Sequence, residues 1–148
     1  MMTKHITNSP EETIETGFRF GKSLKPGTVV ALVGNLGSGK TVFTKGIARA
    51  LGVKDYDYVN SPSFVIMKEY MPRRGKGKKI PLYHFDLYRL NSTADLETVG
   101  YEEYFYSKGV SVVEWADRVP DVIPEKHELV SFKYLSKTRR EIKINGNL

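Results

Sequence analysis

Gly34-Asn35-Leu36-Gly37-Ser38-Gly39-Lys40-Thr41 spells G-x-x-x-x-G-K-[ST], and its flanks decide the fold. Residues 28–33 before it form a short apolar run rich in β-branched residues, as a buried parallel strand requires. After it Phe43, Ile47, Ala50 and Leu51 recur at helical spacing, and Gly52 supplies a stop. Strand, glycine loop and helix together make a P-loop. In such a loop the N–H groups of Asn35, Leu36, Gly37, Ser38 and Gly39 curl towards a phosphate, and the helix N-terminus adds partial positive charge there. Lys40 is expected to reach the β- and γ-phosphates and the Thr41 hydroxyl to bind Mg²⁺. The expectation is a nucleoside triphosphate site.

The rest of the chain reads as an α/β domain built around that unit. Ser9, Pro10 and Glu12 are a helix start, with a capping serine, proline at the first helical position and a glutamate to close the box. That helix runs to about residue 23, with Ile14, Gly17, Phe18 and Gly21 facing inward. Residues 55–60 read as loop. Strand-like runs at 64–70 and 80–85 enclose a polar, glycine-containing connection, which predicts a hairpin. A capped short helix opens at Asn91 and Ser92 and stops at Gly100; residues 101–106 continue as a helical turn. A second buried-type strand spans 109–113, and 127–135 and 139–144 alternate as two more. The sum is one domain, 1–148, with a mixed central β-sheet flanked by helices.

Composition bounds the function classes. The chain has 148 residues, 40% hydrophobic and 27% charged, as ordinary globular proteins do. No apolar run approaches the roughly 18 residues of a membrane span, and residues 1–6 lack a signal-peptide core. Zero cysteines exclude disulfides and thiolate metal sites and suit a reducing cytoplasm. The net charge of +6 invites a nucleic-acid reading, but five of the 23 basic residues fall within 73–79 and the rest are scattered.

Hydrolysis or transfer needs a carboxylate at the metal and a group to place the nucleophile. Two acids end apolar strands: Asp86 after 82–85, and Glu114 after 110–113. Ligands gather at such strand tips in open α/β sheets. One carboxylate can coordinate Mg²⁺ while the other orients or deprotonates water, and the sequence does not say which does which. Arg89 can reach a phosphate or pair with a carboxylate. His84 reads as a hydrogen-bonding core histidine before a catalytic one. Trp115 reads as core or rim packing, or as a partner contact beside Glu114. Ser61 and Ser63 lie where switch-like hydroxyls meet a γ-phosphate. The guanine-reading Asn-Lys-x-Asp motif is missing, and so is the arginine-bearing lid of small-molecule kinases.

Residues 34–41, Ser61-Pro62-Ser63-Phe64, His84-Phe85-Asp86-Leu87-Tyr88-Arg89 and Glu114-Trp115, in this order and spacing, resemble the bacterial TsaE family. That family consists of small ATPases required for threonylcarbamoyladenosine modification of tRNA. The likeness runs over residues 7–140, and the His-x-Asp-x-Tyr-Arg hexad with Glu-Trp is far more specific than the P-loop. The resemblance implies a P-loop fold and ATP as the nucleotide, with Lys40 on phosphate, Thr41 and Glu114 at Mg²⁺, and Asp86 serving hydrolysis. It makes Ser61, Pro62, Ser63 and Phe64 the switch-like loop and places the helix start Thr7 to Thr13, with Ser9, and the turn at Thr138 and Arg139 near the base. Thr138 departs from the family's usual glycine, and Asn60 and Ser63 replace usual threonines. The implied partners are a TsaD-like transferase and its TsaB-like paralogue, with tRNA met only through that complex and no membrane or DNA involved. The expected activity is slow ATP hydrolysis that resets the complex. Two alternatives stay open: a small-molecule kinase with Asp86 as base, and a nucleotide-gated adaptor that barely hydrolyses ATP.

Overall fold

The computed structural model describes residues 2–72 and 79–145; most of the basic stretch 73–79 lies outside them. Seven strands form one sheet: β1 (Thr3–Thr7), β2 (Val29–Val33), β3 (Met67–Tyr70), β4 (Leu82–Asp86), β5 (Val110–Glu114), β6 (Glu128–Tyr134) and β7 (Arg140–Ile144), in the order β1-β7-β6-β2-β5-β4-β3. The four central strands β6, β2, β5 and β4 are parallel, and β3, β7 and β1 add antiparallel pairs at the edges. The expected mixed sheet and both hairpins are present.

Every residue of β2 is buried, because the strand is covered on both faces. Its side chains alternate between two cores. Val30 and Leu32 join Phe43, Ile47, Leu82, Val112 and Phe132 on one face. Val29, Ala31 and Val33 join Phe85, Leu96, Phe105 and Val113 on the other. Helix α2 (Lys40–Ala50) covers the first face, and α1 (Pro10–Lys22) packs on α2. The short helices α3 (Thr93–Glu97) and α4 (Tyr101–Phe105) bring Leu96, Tyr101 and Phe105 to the second.

The α1–α2 crossing is a backbone contact. A Cβ on Gly17 would sit 2.2 Å from the Phe43 carbonyl oxygen, and one on Gly46 would sit 2.1 Å from that of Ile14. Gly17 and Gly21 are buried as expected, whereas Ile14 and Phe18 keep partial exposure. Ser9 caps α1 by accepting from the Glu12 N–H at 3.2 Å, and Glu12 in turn accepts from the Asn8 N–H at 3.1 Å.

Two sequence expectations need correction, and one strand was missed. Residues 55–60 contain a 3₁₀ turn, Tyr56–Tyr58. The strand expected over 64–70 starts only at Met67. Before it the Ile66 N–H bonds to Pro62 O at 2.7 Å and Ile66 takes φ 72, so 63–66 form a tight turn despite their β-prone composition. Strand β1 was not anticipated: four of its five residues are exposed, so no apolar alternation marks it. It exists by pairing in register with β7, from Thr3↔Ile144 to Thr7↔Arg140.

Candidate nucleotide site

The P-loop lies between the C-terminal end of β2 and the first turn of α2. Gly34 has φ 151, and a Cβ there would stand 2.8 Å from Phe132 O, so any side chain would push the loop off β6. Gly39 caps α2 with φ 105, a conformation that costs an L-residue about 1 kcal/mol or more. Lys40 is folded into the loop: Nζ donates to Gly34 O at 2.5 Å, to Asn35 O at 2.8 Å and to Ser38 Oγ at 3.3 Å. It also lies 4.3 Å over the Trp115 ring. Burial lowers its pKa from the usual lysine value, and the carboxylates of Glu114, Asp86 and Asp117 pull it back up. Carbonyls and an aromatic face thus hold a cation where phosphate oxygens would be better partners.

Asp86 and Glu114 are register partners at the tips of adjacent parallel strands, and both are buried. Strand alternation turns them to the α2 face. Thr41 Oγ1 there shares its proton between Glu114 Oε1 at 3.0 Å and Oε2 at 3.1 Å. His84 Nε2 bonds the same carboxylate. A carboxylate only accepts, so a proton belongs on Nε2, and the fully buried Nδ1 has no hydrogen-bond partner among the described residues. Asp86 is held differently: Ser61 Oγ donates to one oxygen and the Tyr88 N–H to the other at 2.9 Å. Asp86 N–H also bonds Ile66 O at 2.9 Å, tying the 61–66 turn to the strand tip twice. Glu114 therefore faces the P-loop threonine and Asp86 faces the serine-bearing turn.

These groups line a cavity of about 610 Å³, within the range of small-molecule sites. Leu36, Gly37, Ser38, Gly39, Lys40 and Thr41 form one wall. Ser61, Ser63, Asp86, Arg89, Glu114 and Trp115 line the cavity as well, and so do Ser9 and Thr138. Pro62 and Phe64 stand outside the lining: Pro62 is buried beneath the turn, while Phe64 is 82% exposed with the Arg89 guanidinium stacked 4.1 Å over it. Trp115 adopts φ 57 and packs 4.8 Å from Tyr88. Asn35 contributes its carbonyl to Lys40 and does not line the cavity. Arg139 does not line it either; its Nε donates to Asn8 Oδ1 at 3.2 Å. The next residue, Arg140, does, and so does Lys137, neither of which motif reading singled out; Pro10 and Thr13, within the helix start that the resemblance placed near the base, line it too.

The donor set suits Mg²⁺. Among the described residues no group of three or more His, Cys, Asp or Glu forms an all-protein metal cage. A hydroxyl beside a carboxylate at a P-loop is instead what a small hard cation uses when phosphate oxygens and waters complete its shell.

Comparison with known proteins places this geometry. The family model described as "Threonylcarbamoyl adenosine biosynthesis protein TsaE" matches residues 7–142. A Bacillus subtilis protein named tRNA threonylcarbamoyladenosine biosynthesis protein TsaE is 40% identical over 139 residues, 94% of this chain and 82% of the relative. The Treponema pallidum protein of the same name is 37% identical, covering 94% of this chain and 97% of its own. The crystal structure of YdiB from Bacillus subtilis superposes with a TM-score of 0.75 at 35% identity, over 97% of this chain and 84% of that one. A family-model match over residues 7–142, a span that includes the P-loop, both strand-tip acids and the serine turn, means that the chain belongs to the TsaE family.

Proposed function

We propose that this protein is a Mg²⁺-dependent ATPase that serves threonylcarbamoyladenosine formation at position 37 of tRNA, by docking on a TsaD–TsaB-type heterodimer and resetting it through ATP hydrolysis. The observation that carries the proposal is the Thr41–Glu114 pair set against the P-loop, with Asp86 beside it on the next strand. Lys40 leaves the P-loop carbonyls to bind the β- and γ-phosphates. Thr41 and Glu114 would hold the metal, which would supply neutralisation of the phosphate charge. Asp86 orients the attacking water, and Ser61 releases it as the 61–66 turn moves towards the γ-phosphate. His84 keeps the Glu114 carboxylate aimed at Thr41 from below.

Slow hydrolysis by the isolated chain follows from the arrangement. Each Asp86 oxygen already accepts one hydrogen bond, from Ser61 and from the Tyr88 N–H, which weakens it as a base towards a water proton. A partner that redraws the 61–66 turn would free it, making hydrolysis a two-state event. The exposed Phe64, with Arg89 stacked on it, is the part of that turn a partner would grip. The names of the relatives support tRNA modification as the setting. The small-molecule kinase alternative lacks a lid segment; the non-hydrolysing adaptor remains the rival that experiment must separate. The test is multiple-turnover modification of tRNA by the heterodimer with ATP. Adding this chain should raise the number of turnovers per heterodimer, and Glu114→Gln should remove the gain. Equal turnover with and without the chain would reject the proposal, and undiminished turnover with Glu114→Gln would favour the adaptor.

A further inference from the structure

The cavity lining divides by chemistry. One part carries Asp86, Glu114 and Lys40; the other, made of Ser9, Pro10, Thr13, Lys137, Thr138 and Arg140, contains no carboxylate. The second part comes from two segments far apart in sequence, the start of α1 and the turn between β6 and β7. Arg140 joins that turn to the P-loop. Its Nε donates to Gly37 O at 3.0 Å, and its Nη1 donates to Ser136 O at 2.6 Å and Arg139 O at 2.9 Å. The guanidinium lies 4.5 Å over the ring of Tyr134, its register partner across β6 and β7. Its stem lies beside the P-loop as well, with Cγ 3.7 Å from where a Gly39 Cβ would be. Among the described residues it makes no salt bridge, so its fork is committed to three carbonyls.

We propose that Arg140 is a positioning residue that assembles the nucleoside end of the cavity, by fastening the 136–139 turn to the tip of the P-loop. The inference rests on the reading of the cavity as a nucleoside triphosphate site. The planar fork suits the task because its donors can serve carbonyls of two different loops at once, which a lysine cannot do in fixed geometry. The preceding Arg139 ties the turn to Asn8, next to the α1 cap. The turn is thereby anchored at both flanks, with Lys137 and Thr138 presented to the cavity between them. Arg140 thus sets nucleoside affinity without contacting the phosphates.

Calorimetric titration of ATP and of inorganic triphosphate, each with Mg²⁺, separates the two ends. The ratio of their affinities measures the nucleoside contribution. Arg140→Ala is expected to weaken ATP by about tenfold while triphosphate stays within about twofold, since charge-assisted bonds to the turn are lost and the phosphate donors are kept. Arg140→Lys keeps the stem and charge but not the fork, so it should lose most of the same ratio, and it carries the measurement if Arg140→Ala does not fold. Equal losses for both ligands, unchanged ATP affinity, or full recovery in Arg140→Lys would overturn the proposal. Wild-type protein that binds neither ligand would overturn the nucleotide reading itself, whereas binding both equally would overturn only the assignment of a nucleoside end.

Discussion

At the scale of single residues, the site is a set of polar groups, several of them buried, held in place by one another. Glu114 is satisfied by Thr41 and His84, and Asp86 by Ser61 and the Tyr88 N–H. Lys40 is the group most at odds with its surroundings, because burial lowers its pKa from 10.5. A base with a lower pKa in the folded state binds fewer protons folded than unfolded in that window, so stability rises with pH there. Relative to Lys40→Met, the wild-type protein should gain unfolding free energy as pH climbs from neutrality towards 10.5; a flat or falling difference would contradict this. Ser111 is a contrasting case, a buried hydroxyl in the central strand β5 with no hydrogen-bond partner among the described residues. Ser111→Ala removes an uncompensated polar group and should stabilise the protein by about 1 kcal/mol in chemical denaturation. A loss of similar size would mean that the hydroxyl is paired in solution.

Among the elements, the α1–α2 pair limits sequence change most tightly. Gly46 faces Ile14 O and the Phe18 N–H position so closely that even a methyl group must separate the helices. Gly46→Ala is expected to cost about 2 kcal/mol or more, read as a lowered denaturation midpoint with an unchanged slope; a cost below 0.5 kcal/mol, within the ordinary range of about ±0.5 for surface positions, would show that the helices separate easily. The same scale shows what could be read in advance. Residues 28–51 were legible because a doubly covered strand, a glycine loop and an amphipathic helix each leave a strong pattern. Strand β1 was not, since its order comes from the β7 backbone and its side chains are mostly solvated. The 63–66 turn was misread because Phe64, Val65 and Ile66 have strand-like side chains in a segment whose backbone turns back on Pro62. Within the site, the chemistry-bearing residues announced themselves by motif, whereas Arg140 acts on Gly37 across 103 residues of chain and no local pattern reports that.

The whole molecule is a parallel α/β core whose strand tips present two carboxylates to a P-loop, extended by antiparallel strands at both edges. Sheet order brings β5 between β2 and β4, so Glu114 and Asp86 become neighbours beside Thr41 although they are far apart in sequence. The turn at 61–66 is bonded to Asp86 on one side and exposes Phe64 on the other, which links the reacting end of the cavity to the outer surface. The proposed function couples partner contact and hydrolysis through this one short segment. Phosphate release from ATP and Mg²⁺, measured with and without the TsaD–TsaB-type heterodimer and with Lys40→Ala as the blank, tests that coupling most directly. The account predicts slow release by the chain alone, a marked increase on adding the heterodimer, and loss of the increase in Lys40→Ala. Brisk hydrolysis by the isolated chain that the heterodimer leaves unchanged would contradict it.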